Sequence, residues 1–294
     1  MLFRSYYIDN YDSSDPHGTG IFLEGGFLEV SGGSVHGGSN YGEDMPGGNA
    51  VWIQDSNIGI IGGSFVGGDG LVDFSSAGSA LVVRGSSRGG IGGGSFVRGS
   101  STEEDVPAIR IGISLHYNIE IENGYVNGKI DGNYYGISGG TFEGYAPDSS
   151  YLDAGRILLK HNGEDLWTVV EGTAPLAYDG LVYNGSNQPL IKAGKSEDGT
   201  FTYGLGTAAA APGSFGSELP RGNERGDYTV WYRFDGNEGW YWYRGTEQQN
   251  DGFVCEPLKA TIGEKTITGL GTGAISNPTS GSANTSGSDR KSVV

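Results

Sequence analysis

The sequence is poor in cysteine, in long apolar runs and in positive charge, and each shortage excludes a class of protein. A single cysteine, Cys255, excludes an internal disulfide framework, and no spacing resembles a zinc site. No apolar run reaches the ~18 residues of a membrane span, and the first residues lack the apolar core of a signal peptide. Only 18 Lys and Arg stand against 35 Asp and Glu. The net charge of −17 disfavours nucleic acid and anionic membranes as partners.

Glycine is the residue in excess, with 56 copies in 294 residues and no collagen-like spacing. Glycine pairs recur before a hydroxyl residue and an apolar residue, as in "IIGGSFVGG" (60–68), "IGGGSFVRG" (91–99) and "ISGGTFEG" (137–144). The apolar residues lie at intervals of 30, 31, 30 and 16 positions, and they are Val35, Phe65, Phe96, Val126 and Phe142. Self-similarity at this period predicts a solenoid.

Each repeat is predicted to contain two short strands. The first is apolar and covers Ile21–Leu23, Val51–Ile53, Leu81–Val83 and Ile109–Ile111. The second is centred on Val30, Ile60, Ile91, Ile121 and Ile137. Glycine interrupts every segment long enough for a helix, at a cost of about 1 kcal/mol per residue relative to alanine. Short strands at a fixed period therefore predict a parallel β-helix, in which each coil pairs with its neighbours.

The glycine pairs are expected to turn corners, since glycine accepts a positive φ and a close backbone approach. The phenylalanines that follow are expected to stack from coil to coil in the core. This structural repeat comprises Gly32, Gly33, Gly62, Gly63, Phe65, Gly93, Gly94, Phe96, Gly139, Gly140 and Phe142. Polar insertions at 39–49, 69–79 and 100–107 are predicted to be projecting loops, which often carry function.

The repeat unit resembles the coils of pectate-lyase-like right-handed β-helix regions in large secreted surface proteins of gut-type Gram-positive bacteria. The resemblance covers roughly residues 18–146. It implies a right-handed parallel β-helix and an extracellular or cell-surface location, and it is weak evidence for any activity. Residues 156–172 are predicted to close the helix with one or two strands, so the first domain spans residues 1–172.

Beyond residue 172 the glycine pairs stop, and short alternating segments with glycine turns predict an antiparallel β-sandwich over 173–263. This stretch resembles the bacterial Ig-like modules that follow β-helices in exported surface proteins. The matching positions are Tyr183, Gly185, Gln188, Leu190, Tyr203, Gly226, Tyr228, Thr229, Val230 and Tyr232. The segment 238–252 departs from that pattern, because such modules usually have a shorter turn there.

The last residues, 264–294, are rich in Gly, Ser and Thr and are predicted to be a linker. The final "DRKSVV" (289–294) resembles the translated start of a sequencing-library adapter and is predicted to be non-native. We therefore expect the sequence to be a fragment of a longer exported chain, with its signal peptide and anchor outside the fragment.

Catalysis is not favoured by the distribution of charge. A polysaccharide lyase would need carboxylates for Ca²⁺ beside a basic residue. The two candidate groups are Glu103, Glu104 and Asp105 with Arg110, and Asp69 and Asp73 with Arg84. Neither recurs at one-coil spacing, so solvated loop charge is the favoured interpretation. Glu120 and Glu122 share a strand face and could serve a glycosidase, but a solvent-exposed face explains them equally well.

No metal site or cofactor is predicted. Asp9, Asp12 and Asp15 lack the spacing and the glycine of an EF-hand loop. The stretch "GGDGLVD" (67–73) loosely resembles a calcium nonapeptide but occurs only once. The four histidines, His17, His36, His116 and His161, have no nucleophile or metal partner nearby in sequence.

One segment suggests ligand binding. In "GWYWYRG", Trp240 and Trp242 are predicted to share one face of a strand, and Tyr241 and Tyr243 the other. One of these faces could be an aromatic platform for sugars. The competing and favoured interpretation is that packing covers both faces. The expected partners are glycans, or surface proteins of a host or of bacteria.

Together these features predict a non-enzymatic, extracellular or cell-surface adhesin-like scaffold. The alternative is a carbohydrate-active β-helix protein, which would be either a polysaccharide lyase or a glycan-binding protein.

Overall fold

The fold is all-β, and its main element is a β-solenoid of about three turns. The computed structural model describes residues 18–39, 46–70, 76–101, 106–133, 135–243 and 257–264. No helix in this part of the chain is long and apolar enough to cross a membrane. The chain divides into a first unit of residues 1–173, 196–199 and 236–248 and a second unit of residues 174–195, 200–235 and 249–294.

Ten strands form the coils of the solenoid. They are β1 (Ile21–His36), β2 (Val51–Val66), β3 (Leu81–Gly85), β4 (Arg88–Val97), β5 (Ile109–Ile113), β6 (Ile119–Ile121), β7 (Tyr125–Asn127), β8 (Ile130–Gly132), β9 (Tyr135–Ile137) and β10 (Gly140–Glu143). Neighbouring coils pair in parallel, so the predicted solenoid is confirmed.

Three parallel ladders run through the coils and define three faces of the solenoid. The first face aligns Ile21, Val51, Leu81, Ile109 and Ile130. The second face aligns Val30, Ile60, Ile91, Ile121 and Ile137. The third face aligns Val35, Phe65, Phe96, Val126 and Phe142. The second and third ladders reproduce the two sets of residues that the sequence repeat predicts.

The core consists of the inward side chains of these ladders. Phe65, Phe96 and Phe142 are almost completely buried. The rings of Phe65 and Phe96 stack with centroids 5.0 Å apart and planes inclined by 11°. Stacking of this kind adds about 0.5–1.5 kcal/mol per pair to the gain from buried area. Phe65 and Phe96 therefore stack as the sequence predicts, whereas Phe142 lies opposite Val126 of the preceding coil.

The glycine pairs turn the corner between the second and third faces, and the two positions of each pair have different reasons to be glycine. The second glycine has a positive φ, of 110° at Gly63 and 106° at Gly94. The first lies against the preceding coil, because a Cβ on Gly62 would stand 2.8 Å from the Ser31 carbonyl oxygen. Both roles anticipated from the sequence are present.

A second set of glycines, which the sequence repeat did not single out, forms a column at the corner between the third and first faces. Each backbone N–H donates to the carbonyl of the glycine before it in the column of Gly18, Gly38, Gly48, Gly68, Gly78 and Gly99. Along the column, glycines at which the chain leaves one coil alternate with glycines at which it enters the next coil. A Cβ on Gly78 would overlap the carbonyl oxygen of Gly48, so the column has no room for side chains.

The predicted insertions all leave the solenoid at this corner. The connections from the third face to the first face of the next coil are residues 37–50, 67–80 and 98–108. The fourth connection is only Gly128 and Lys129, between β7 and β8. The shorter connection accounts for nine of the 14 positions by which the repeat interval falls at Phe142, and the shorter segment from the start of β8 to the start of β9 accounts for the other five.

An antiparallel sheet closes the solenoid on the third face. Its strands are β11 (Arg156–His161), β12 (Leu166–Thr173) and β21 (Trp240–Trp242), in the order β10-β12-β11-β21. The closing strands predicted within 156–172 are confirmed. The pairing of β21 with β11 differs from the assignment of residues 238–252 to the second module. It covers the edge of β11, which would otherwise be open.

The second unit contains a four-stranded sheet and two short ribbons. The order of the sheet is β14 (Leu181–Val182), β22 (Leu258–Gly263), β20 (Gly226–Gly236) and β18 (Gly199–Gly206). The ribbons pair β13 (Leu176–Ala177) with β16 (Ile191–Lys192) and β15 (Gln188–Pro189) with β19 (Arg221–Gly222). The short strand β17 (Lys195–Ser196) spans the point where the chain passes from the second unit back to the first. The core of the second unit includes Leu190, Tyr203, Val230, Tyr232 and Phe234. Short 3-10 turns occur at Ser149–Tyr151 and Asn237–Gly239.

Gly78→Ala is expected to destabilise the solenoid by about 3 kcal/mol, because the new methyl group overlaps backbone that cannot swing away. Gly32→Ala is the matched control, since no atom lies within 4 Å of the added Cβ and the φ of Gly32 is not positive. Its expected effect is within about 0.5 kcal/mol. Urea unfolding measures both variants. Equal stabilities for the two would contradict the role assigned to the column.

Phe96→Ala is expected to cost about 3–5 kcal/mol of unfolding free energy, because it opens a cavity between buried side chains. Phe27→Ala removes a phenyl group that is 62% exposed and serves as the control, with an expected cost below about 1 kcal/mol. The same urea titration compares them, and a small loss at Phe96 would show that the stack does not hold the coils.

Candidate functional site

Two carboxyl groups meet on the outward side of the second face. Glu120 lies on β6, and its ladder partner on β9 is Gly136. Asp153 follows the last coil, and its backbone N–H donates to the Ile137 carbonyl at 3.0 Å. The position of a Cβ on Gly136 would be 2.8 Å from Glu120 Oε2 and 3.0 Å from Asp153 Oδ1. Glycine at 136 therefore leaves the space in which the two carboxyl groups come together.

Partial burial, the hydrogen bond to Asp153 and the charges of Asp153 and Glu122 raise the pKa of Glu120 to about 7. A hydrogen bond from Ser138 acts in the opposite direction and is outweighed. Two carboxyl groups in contact cannot both ionise without repulsion, so near neutral pH they share a proton. Glu120 is thus a carboxylic acid that remains protonated at a pH where ordinary glutamates are ionised.

An open cleft of about 480 Å³ lies beside this carboxyl pair. Its lining brings together the corner after β6, the glycine pair before β10 and the closing strands. The lining residues are Glu122, Asn123, Ser138, Gly139, Gly140, Thr141, Arg156, Thr168 and Val169. The cleft therefore holds one exposed carboxylate, one arginine and several hydroxyl groups, which is a polar surface able to hydrogen-bond a hydroxylated ligand.

The contact between Glu120 and Asp153 is too close for a two-carboxylate glycosidase. It is shorter than either separation that glycosidases use, ~5–5.5 Å or ~6.5–9.5 Å. Glu122 follows β6 and lines the cleft, whereas Glu120 is not one of the residues that line it. Among the described residues, no group of three His, Cys, Asp or Glu side chains could hold a metal ion.

The lyase candidates are not assembled with carboxylates in the described part of the chain. Arg84 and Arg110 lie on the outward side of the first face in neighbouring coils. Asp69 of the nonapeptide-like stretch 67–73 accepts a hydrogen bond from the Ser100 backbone at 2.7 Å, which links two loops. The other residues of these groups, and several further candidates, fall outside the described residues: Asp9, Asp12, Asp15, His17, Asp73, Glu103, Glu104, Asp105 and Cys255.

The aromatic segment 240–243 lies against the closing sheet. Trp242 is opposite Leu159, and Tyr241 is opposite Lys160. Trp240 meets the His161 ring edge-on at 5.1 Å, and Tyr243 meets Trp167 edge-on at 5.8 Å. All four side chains are half-buried. The use of Trp240, Tyr241, Trp242 and Tyr243 as a sugar platform stays a prediction.

The remaining histidines are separate from one another. His36 ends β1, and His116 lies exposed in the turn between β5 and β6. His161 Nδ1 is 3.6 Å from a Glu164 carboxylate oxygen. None of the three joins the cleft.

Comparisons of this chain with protein-family models, with curated proteins and with solved structures found no match.

Sequence reasoning identified Glu120 and Glu122 but missed their partners. Asp153 and Arg156 follow the last regular coil, so the repeat gives no register for them. The repeat did contain one usable signal. It aligns Gly136 with Glu120, so no side chain at that position of the next strand covers the Glu120 carboxyl group.

The stability of the protein is expected to fall as the pH rises from about 4.5 to about 7, through the contribution of Glu120. Its pKa is higher in the folded chain than in the unfolded chain, so the folded state holds more protons in this range. Glu120→Gln removes the contribution and should flatten that part of the profile of Tm against pH. Glu171→Gln, at an exposed position of β12, should leave the profile parallel to the wild type. Parallel profiles for Glu120→Gln would contradict the shared proton.

Proposed function

We propose that this protein is a non-enzymatic, adhesin-like display scaffold of an extracellular or cell-surface protein, with glycans or surface proteins as partners. The observation that carries the proposal is the glycine column, which gives three loop connections one common corner of a parallel solenoid. The described ends of these connections lie one coil apart, about 4.8 Å, along the solenoid axis. Repeated attachment points of this kind suit recognition of an extended partner.

The finer fold classes are part of the same proposal. We take the solenoid to be a right-handed helix of the pectate-lyase-like type and the second unit to be an Ig-like spacer. The buried motif residues Leu190, Tyr203, Val230 and Tyr232 support the second assignment. The antiparallel pairing of β20 with β22, which also pairs with β14, supports the same assignment.

A second candidate function is supported by the acidic cleft. A carboxyl group that stays protonated to about pH 7 is suited to act as a general acid on a glycosidic oxygen. Glu122 is then the base, and Arg156 and Thr168 orient the saccharide. This is the carbohydrate-active alternative, in which Glu120 and Glu122 act as the acid and the base of an inverting glycosidase.

An assay of polysaccharide turnover distinguishes the display proposal from the enzyme proposal. The full chain is incubated with neutral and acidic polysaccharides between pH 5 and pH 8. New reducing ends and the absorbance of unsaturated uronates are recorded. The display proposal expects no rate above that of buffer, together with saturable binding on a glycan or surface-protein array.

Turnover that Glu120→Gln abolishes and Glu171→Gln preserves would overturn the display proposal in favour of the enzyme. Turnover that persists in Glu120→Gln would contradict both assignments. Absence of turnover and of all array binding would also count against the display role.

A further inference from the structure

Three side chains form a patch on the outward side of the first face. They are Trp52, Arg84 and Arg110, and we call them the arginine–tryptophan patch. They lie on β2, β3 and β5, the three consecutive strands of that ladder. The pairing places Trp52 and Arg110 on either side of Val82, and Arg84 beside Gly112. Val82 points outward yet is almost completely buried. The larger side chains around it form the surface that a ligand would meet.

Arg84 packs between Trp52 and Gly112. Its Cζ is 5.8 Å from the centre of the Trp52 ring, which is a cation–π distance. On the other side, its Nη1 is 3.1 Å from the position that a Cβ on Gly112 would take. Glycine at 112 therefore leaves room for the guanidinium group.

One donor on each side chain of the patch has no acceptor among the described residues. These donors are Trp52 Nε1, Arg84 Nε and Arg110 Nε, and all three are buried. Asp131 on β8 is the ladder partner of Arg110, yet no ion pair joins it to either arginine. Buried donors in proteins are nearly always paired, so three unpaired donors on adjacent strands indicate a missing acceptor.

We propose that the arginine–tryptophan patch binds a saccharide that carries an oxyanion, either a sulfate or a carboxylate. Guanidinium groups form paired hydrogen bonds with planar or tetrahedral oxyanions. The indole offers an apolar face for the sugar ring and an N–H for a sugar oxygen. Small side-chain rotations on binding bring the buried Nε donors to the ligand. The saccharide part of this inference rests on the proposed function, since it names the glycan class that the scaffold would recognise.

The charge of the chain limits the size of the ligand. A net charge of −17 repels long polyanions such as nucleic acids. Two arginines on adjacent strands match a single anionic group instead. We therefore expect a short segment of a glycan with one sulfate or one carboxylate at the patch.

Calorimetric titration of the full chain tests the inference. The probes are a 6-sulfated galactose trisaccharide, a glucuronate-containing trisaccharide, the neutral galactose trisaccharide and sulfate ion alone. At least one anionic trisaccharide should bind saturably, and at least about tenfold more tightly than the neutral one. Arg84→Gln and Arg110→Gln should each weaken that binding about tenfold or more. Arg88→Gln is the control and should change it less than about twofold, because Arg88 lies on the second face and hydrogen-bonds Asn57.

A second measurement tests whether a loss of binding in a variant results from misfolding. In the NMR spectrum of protein with ¹⁵N-labelled tryptophan, the indole N–H signal of Trp52 is the one that Trp52→Phe lacks. This signal should shift when the anionic trisaccharide is added to the wild type. Arg84→Lys and Arg110→Lys keep the charge and should retain part of the affinity. Equal melting temperatures of these variants and the wild type show that the coils are intact.

Three outcomes would overturn the inference. They are no binding of either anionic trisaccharide, equal affinity for the neutral one, or wild-type affinity in both glutamine variants. Sulfate binding as tight as that of the sulfated trisaccharide would contradict the saccharide part alone. The enzyme assays can overturn the display proposal while anion binding still depends on Arg84 and Arg110. In that case the inference that the patch binds an oxyanion holds independently of the display proposal.

Discussion

The distance between coils is the constraint on which the rest of this structure depends. Parallel strands of adjacent coils lie about 4.8 Å apart, so wherever the chain turns sharply, one coil's carbonyl occupies the space of the next coil's Cβ. At Gly62 and Gly93 the intruding oxygens belong to Ser31 and Ile61. At Gly78 the intruding oxygen belongs to Gly48. Only glycine satisfies this at these positions, and this accounts for much of the glycine content of the solenoid.

With the corners fixed in this way, the faces between them can be filled independently. Inward positions take β-branched residues and phenylalanines that stack from coil to coil, as Phe65 does on Phe96. The glycine column then determines where long connections can leave, and its interruption at Gly128 and Lys129 ends the loops. The antiparallel strands that follow continue the third face, so its hydrogen bonding is completed without another coil.

Sequence reasoning succeeded wherever the repeat carries the information. The intervals between Val35, Phe65, Phe96 and Val126 gave the register of the third face, and the glycine pairs gave its corners. Reasoning failed where the partners come from outside the repeat, as with Asp153 beside Glu120 and with β21 beside β11. It also missed the glycine column, because the column joins glycines at the ends of the repeat units, such as Gly68, to glycines in polar insertions, such as Gly78, and only hydrogen bonds across coils link the two sets.

The outward positions carry the chemistry, and the same register arranges them. Alternation along β6 turns Glu120 outward, while the strands of the first face turn Trp52 and Arg110 outward in line with each other. The register therefore brings together outward side chains that lie about 30 positions apart in the linear sequence. A substitution at such a position changes the surface and leaves the stacked core intact. A solenoid can thus acquire a new binding face without loss of the fold, whereas a change at a corner glycine affects two coils at once.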